Sequence, residues 1–226
     1  MVVLPVEPPP GDIALAARTL LHDACPRHVV DHCERSYQFA GLIARAEGVA
    51  VDDEVLYVGT LLHDIALSDR FSGPERFEPR GANVARRFAL DQSMSQSRAE
   101  AVWDIVALHA STSLARNKSR EVAIANRGIS FDIRGVGVEL LRADVLAVLS
   151  ALPREGFPQS FHRTLVDEVR TNVGSVRGSW MESIAVREVP GYVASDFTSG
   201  LLGSVAFCAA EMDADDTDRP RPERRS

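Results

Sequence analysis

The chain has 226 residues, of which 45% are hydrophobic and 25% charged, and its formal net charge is -7. This length corresponds to one large domain or two small ones, and a chain of this size buries enough apolar surface to fold without disulfides. The acidic balance argues against a nucleic-acid partner, because phosphate binding needs clustered Lys and Arg side chains.

The two ends of the sequence differ in composition from its centre. Residues 1–11 have no basic cluster and too short an apolar stretch for a signal peptide, and we expect a flexible arm there. No run of about 18 apolar residues occurs, so we expect no membrane partner. Cys25, Cys33 and Cys208 have no CxxC spacing, which favours a reducing, cytoplasmic location. Residues 212–226 are charged, contain proline and lack large apolar side chains, so we predict a disordered tail.

Between these ends the apolar residues follow helical spacing. The first predicted helix covers 12–24 and begins at Asp12, a residue type that caps helix N-termini. Alternation typical of a strand is confined to 186–194. The sequence therefore predicts an all-α fold in a single domain over 12–211. Further helices are predicted over 26–48, 51–67, 79–90, 97–111, the later part of 128–150, and 161–176.

Two adjacent ionisable residues interrupt the apolar end of the third predicted helix. His63 and Asp64 lie in TLLHDIALSD, where the flanking leucines and isoleucine favour burial. Burial of a carboxylate is costly unless it is paired, hydrogen-bonded or bound to a metal. A metal held by both side chains would neutralise the carboxylate, and imidazole and carboxylate suit zinc, iron or manganese. A buried salt bridge or hydrogen bond is the alternative.

Three further ionisable residues lie inside apolar stretches elsewhere in the chain. They are His32 in VVDHCERS, His109 in IVALHAST and Asp132 in GISFDIRG. Helical bundles build metal sites from side chains on facing helices. A metal centre is therefore predicted if these residues converge on the pair, although a lone histidine on a helix is more often a core or surface residue than a ligand.

The order His32, His63–Asp64, Asp132 resembles the H…HD…D pattern of the HD-domain superfamily of metal-dependent hydrolases. The blocks HCERSYQFAGLIA, TLLHDIALSDRF, RFEPRGANVARRF, VWDIVALHAST and GISFDIRGVG are similar to the branch that contains cyanamide hydratases. The similarity covers about residues 15–150 and implies an HD-type helical bundle, with 151–211 as a helical extension. The four metal ligands that the resemblance implies are His32, His63, Asp64 and Asp132.

The same resemblance implies an enzyme that acts on a small molecule. It would hold one divalent metal ion per chain, zinc or iron, with manganese as the alternative. Such an ion lowers the pKa of a bound water towards neutrality. The resulting hydroxide would attack an electrophilic carbon, as in the hydration of a nitrile or cyanamide. Assembly into a homo-oligomer is compatible with the sequence.

Departures from the family pattern leave other chemistries open. Leu67 stands where many HD phosphohydrolases carry a lysine, which disfavours a phosphomonoester or nucleotide substrate. A cluster of nearby arginines favours such a substrate, or else forms a solvated helix face. The members of this cluster are Arg76, Arg80, Arg86 and Arg87.

Two-metal HD enzymes, including di-iron oxygenases, have two further histidines between the HD pair and the last aspartate. Here His109 is one of them, and Glu78 stands at the position of the other. We therefore predict one metal, with His109 and Glu78 as catalytic residues that move protons or orient the substrate. Alternatively, Glu78 stabilises free N–H groups at a helix start. A regulatory module without activity is least favoured, because all four ligand positions are intact.

Overall fold

The computed structural model describes residues 4–136 and 139–203, and its regular elements there are helices. No β-strand occurs in those two ranges, so the predicted all-α fold is confirmed. The predicted tail over 212–226 lies outside them. Among the described helices none combines the length and apolar character needed to cross a membrane. The helices are α1 Asp12–Ala24, α2 Arg27–Glu47, α3 Asp53–Leu61, α4 Phe77–Asp91, α5 Gln96–Leu108, α6 Thr112–Ala115, α7 Arg120–Arg134, α8 Arg142–Ala151, α9 Phe157–Thr171, α10 Glu182–Glu188 and α11 Phe197–Leu202.

Helix α2 is the central helix of the bundle. It follows Pro26 and ends at Gly48, whose φ of 65° is the left-handed conformation that closes many helices. Helix α7 lies directly against it, because Gly128 presents no side chain. A Cβ at Gly128 would lie 2.5 Å from the backbone nitrogen of Ala40 on α2. This close approach brings the polar residues of both helices within reach of one another.

The glycine contact leads to a stability prediction. Gly128→Ala is expected to lower the Tm, because overpacking against a backbone costs about 1–3 kcal/mol, which exceeds the gain of about 1 kcal/mol in helix propensity. Thermal unfolding followed by circular dichroism measures the change. Gly200→Ala in α11 is the matched control, since a Cβ there would meet no atom within 4 Å. An unchanged Tm for Gly128→Ala would contradict the packing described here.

The third helix is shorter than predicted. Helix α3 ends at Leu61, whereas the sequence predicts a helix to 67. Leu62 and Asp64 have φ near -100° and ψ of 7° and 14°, which lies in the sparsely populated bridge region. A short 3-10 helix over Ile65–Leu67 and another over Asp69–Phe71 follow. The HD pair is therefore in a turn and not inside a helix.

The sequence did not predict α7 as one helix. Over 128–150 it predicted a helix only after GISFDIRGVG, whereas α7 covers Arg120–Arg134. Its buried residues Val122, Ala125, Ile129 and Asp132 do follow helical spacing. Asn126 and Gly128 are weak helix formers that obscure this pattern. Residues 186–194, where alternation suggested a strand, contain the end of α10 and a turn.

The N-terminal segment lies against α2 over its described part. Val6 is 5% exposed, and its backbone exchanges two hydrogen bonds with the side-chain amide of Gln38, at 2.9 and 2.8 Å. The Val6 side chain also occupies the space that a Cβ on Gly41 would take. Val6 is therefore docked on α2, within the segment 1–11 where a flexible arm was expected.

The extension after α8 covers one end of the bundle. Phe157 and Phe161 of α9 contact His32, with ring centroids 5.2 and 5.0 Å from that imidazole. A second apolar cluster joins this extension to the region after the HD pair, and it includes Leu67 beside Phe77. Helix α9 thus forms part of the surroundings of the predicted metal ligands.

Candidate metal centre

His63 and His109 are oriented by the same type of hydrogen bond to a helix end. Each follows the end of a helix, α3 or α5, and its Nδ1 lies within hydrogen-bond distance of the carbonyl oxygen three residues earlier. The distances are 2.7 Å from His63 to Thr60 and 2.6 Å from His109 to Val106. These carbonyls are acceptors that the helix ends leave unsatisfied. Since a carbonyl only accepts, each Nδ1 is the protonated nitrogen and each Nε2 carries a lone pair when the ring is neutral.

His32, in the middle of α2, is oriented by a carboxylate on α7. Its Nδ1 lies 2.6 Å from Asp132 Oδ2, so its Nε2 also points away with a free lone pair. Arg35, one turn along α2, donates to both oxygens of Asp132, at 2.8 and 3.0 Å. The Arg35 guanidinium is fully buried, lies over the Phe157 ring, and donates to the Pro153 carbonyl.

The Nε2 atoms converge on the Asp64 carboxylate. His63 Nε2 lies 3.1 Å from His32 Nε2 and 3.2 Å from Asp64 Oδ2. His109 Nε2 lies 3.7 Å from Asp64 Oδ1. Asp64 Oδ2 is buried and has no hydrogen-bond partner among the described residues. Lone pairs that face one another at 3.1 Å, beside a partnerless carboxylate oxygen, need a positive charge between them.

A divalent cation fits this donor set. His32, His63 and Asp64 each offer one ligand atom, all within 4.8 Å of one another, and all three residues are buried. Imidazole nitrogens and a carboxylate oxygen are the ligands that zinc and iron take. Within the described residues this is the one such group found.

Asp132, predicted as the fourth ligand, lies on the far side of His32 from the other two predicted ligands. Its two oxygens contact Arg35 and the outer nitrogen of His32, on the side of that ring away from Asp64. In this geometry it supports a ligand, as carboxylates behind metal-binding histidines commonly do. His109 is the side chain that stands next to the three donors on the open side. The sequence prediction missed Arg35, although its place one turn after His32 is a usable signal.

The pKa values of the site follow from burial and charge. Burial lowers the pKa of His32 and of His109, which favours the neutral rings that bind metals. Burial also opposes protonation of His63, but the neighbouring Asp64 carboxylate raises its pKa above the ordinary value. Burial opposes ionisation of Asp132, yet hydrogen bonds from His32 and Arg35 lower its pKa to about 2.

Glu78, predicted as a catalytic residue, is buried, and its carboxylate is hydrogen-bonded to residues outside the histidine group. Its carboxylate accepts hydrogen bonds from the Arg76 guanidinium and, at 2.9 Å, from the indole Nε1 of Trp180. Neither the second-metal role nor proton transfer follows from contacts of this kind. The alternative of a carboxylate in the first turn of α4 agrees with its position. Trp180 itself was not among the predicted site residues.

The arginines after the HD pair do not form a free basic patch. Arg80 binds Glu168 and several loop carbonyls, including that of Phe71. The others pair with acidic neighbours. These pairs are Arg76 with Glu78, Arg86 with Glu100, and Arg87 with Asp91.

A cavity of about 240 Å³ opens onto the candidate metal-binding group of His32, His63 and Asp64. Its inner end is formed by buried His32, His63, Asp64 and His109, and its walls are mostly apolar. Arg134 is the only Arg or Lys among the described residues that line it, and that residue is exposed. The walls and rim comprise Phe77, Ala110, Ile129, Ser130, Ile133, Arg134, Phe161, Leu165 and Trp180.

Comparison with known proteins identifies one family. No curated protein sequence matches the chain significantly. The family model described as "HD domain" matches residues 29–129, which include His32, His63, Asp64 and His109. HD domains are generally metal-dependent hydrolases. The segment over residues 29–129 therefore matches an HD domain, in agreement with the superfamily that the sequence resembles.

Proposed function

We propose that this protein is a metal-dependent hydrolase or hydratase that adds water to an electrophilic carbon of a small molecule, such as a nitrile or cyanamide. The observation that carries the proposal is the partnerless Asp64 oxygen among three inward-facing imidazole Nε2 atoms at the end of a cavity. The apolar walls favour a weakly charged substrate over a phosphate ester. The cyanamide hydratase-like branch is part of this proposal and rests on the sequence blocks alone.

Each residue of the site has a distinct part in this mechanism. His32, His63 and Asp64 would hold a divalent ion, and such an ion when bound makes hydroxide available near neutral pH. His109 stands 3.7 Å from Asp64 and carries an unprotonated Nε2 that faces the cavity, so it accepts or returns a proton during addition of water. Asp132 keeps the His32 ring in the required tautomer through its 2.6 Å contact.

Phosphomonoester hydrolysis is the second candidate, because Arg134 lines the cavity and can meet an anionic group. Two observations count against it. Leu67, at the position where many phosphohydrolases carry a lysine, is packed beside Phe77 in the second apolar cluster. The arginines at 76, 80, 86 and 87 are paired with acidic residues.

Metal analysis followed by a substrate panel tests the proposal. Protein purified without added metal is expected to contain one zinc or iron per chain by mass spectrometry of the elements. It is expected to hydrate cyanamide or simple nitriles, with amide or urea formation followed by chromatography, and to leave p-nitrophenyl phosphate and nucleotides intact. Phosphatase activity without hydration would favour the second candidate. Two irons per chain would contradict a single-metal mechanism and indicate a di-iron oxygenase. Absence of metal would contradict both candidates.

A further inference from the structure

Part of the cavity wall is built from residues beyond the segment that matches the HD domain. The match ends at residue 129, whereas Ile133, Phe161, Leu165 and Trp180 all line the cavity. Exposure increases from the metal-binding group outward, from 0% at His63 to 40% at Trp180. Trp180 therefore stands at the rim, together with Ile133, which is 42% exposed, and the exposed Arg134.

The position of Trp180 is fixed by two contacts on α4. Its indole Nε1 donates to Glu78 Oε1 at 2.9 Å, and its ring meets Phe77 edge-on with 6.3 Å between centroids. Glu78 is itself 1% exposed and is held by Arg76. Met181, the next residue, is fully buried. An indole anchored at its nitrogen and packed on one face is a rigid wall rather than a mobile surface side chain.

Phe77 connects this wall to the reacting end of the cavity. The Phe77 ring lies 5.6 Å from His109 and packs between that imidazole and Trp180. Phe77 and Trp180 therefore form one continuous aromatic wall between His109 and the rim of the cavity. The available volume exceeds the roughly 150 Å³ of an engineered apolar cavity that binds benzene.

We infer that Trp180 sets an upper limit on substrate size, and that Glu78 is the positioning residue that holds it. The substrates admitted are uncharged molecules whose non-reacting part is a compact apolar chain or ring. This inference rests on the proposed function for the identity of the cavity as the substrate site. It gives Glu78, whose carboxylate accepts from Arg76 and Trp180, a defined role in selectivity.

Binding of the n-alkanols from propanol to octanol tests the limit, because these probes are uncharged and contain no carbon that a hydratase acts on. Affinity is measured by ligand-observed NMR on the protein as purified. The affinity of the wild-type protein is expected to rise by about fourfold per methylene while each added group is buried. It is expected to stop rising beyond one chain length, and that chain length is the size limit. A continued rise through octanol in the wild type would overturn the inference.

Trp180→Ala is expected to move this limit to longer alkanols, and Trp180→Phe to a lesser extent. Trp103→Ala is the matched control, because Trp103 is the other tryptophan of the chain, donates to Asn83, and does not line the cavity. The same limit in Trp180→Ala as in the wild type, or an equal shift in Trp103→Ala, would overturn the assignment. The exposed position of Trp180 makes loss of folding a minor concern, and Trp180→Phe keeps an aromatic ring in place.

Glu78 is tested by a conservative pair of substitutions. Glu78→Leu removes the acceptor for Trp180 Nε1 and is expected to move the size limit to longer alkanols, as Trp180→Ala does. Glu78→Gln retains a carbonyl oxygen as acceptor, so its size limit is expected to equal that of the wild type. An unmoved limit in Glu78→Leu would overturn the positioning role. Metal content measured on the same samples separates this inference from the proposed function. Protein without metal that still shows the limit would contradict only the proposed function, and metal-loaded protein without a limit would contradict only this inference.

Discussion

His63→Ala is expected to remove the metal and to lower the Tm of the protein as purified. The substitution deletes one of the three donor atoms that lie within 4.8 Å of one another, and two donors do not retain an ion through purification. A metal present at about 1,000 times its Kd adds about 4 kcal/mol to the free energy of unfolding, which corresponds to about 10 °C in Tm for a domain of this size. Metal content and thermal unfolding are the measurements.

Two comparisons isolate the metal contribution in this experiment. Wild-type protein treated with a chelator is expected to lose a similar part of its Tm, because it lacks the same ion. His22→Ala is the matched control, since His22 is a partly exposed histidine on α1 whose imidazole pairs with Glu34 at 2.9 Å. Unchanged metal content in His63→Ala would show that the pair His63–Asp64 is structural.

Asp132→Ala is expected to have the largest effect on stability. It leaves the fully buried Arg35 guanidinium without its carboxylate, and removing one partner of a buried ion pair costs about 3–5 kcal/mol. The pKa of Asp132 is lowered from 3.8 to about 2, so the pair stabilises the protein at all pH values above about 4 and loses this effect as the pH falls through 2. Chemical denaturation at pH 7 therefore measures the full loss.

The same substitution is expected to lower metal affinity by about 10–100-fold, because His32 loses the acceptor that orients its ring. The double substitution Arg35→Met with Asp132→Leu separates the two effects. It is expected to recover much of the stability, since apolar residues can replace a buried ion pair, but not the metal affinity. Asp91→Ala, which removes an exposed ion pair with Arg87, is the control and is expected to cost less than about 1 kcal/mol. Wild-type stability in Asp132→Ala would contradict the geometry described for Arg35.

Helix positions were predictable where the apolar spacing is regular and the ends carry strong signals. Helix α1 has the predicted bounds, and α2 lies between Pro26 and Gly48 as expected. The end of α3 was not predictable from spacing, because Leu62 and Ile65 remain apolar and buried after the helix has stopped. What ends the helix is a backbone change at the HD pair, and apolar periodicity carries no information on such a change.

The members of the site were largely predictable, but their arrangement was not. Buried ionisable residues in apolar stretches pointed to His32, His63, Asp64 and His109, and all four line the same cavity. Which side of His32 faces Asp132 depends on the separation of α2 and α7, and that separation is fixed by the contact between Gly128 and Ala40. Long-range pairing of this kind has no signature in the local sequence.

The contacts of α9 also bear on where a working unit of this protein ends. Arg35 donates to Pro153, and Phe157 and Phe161 lie against His32, although all three partners follow the matched segment 29–129 by more than twenty residues. A fragment cut at the limits of the sequence match would expose the Arg35 charge and one face of the His32 ring to water. The segment that matches by sequence is therefore shorter than the segment needed to build the candidate metal site. Residues 153–161 are needed for that site, although they lie outside the match.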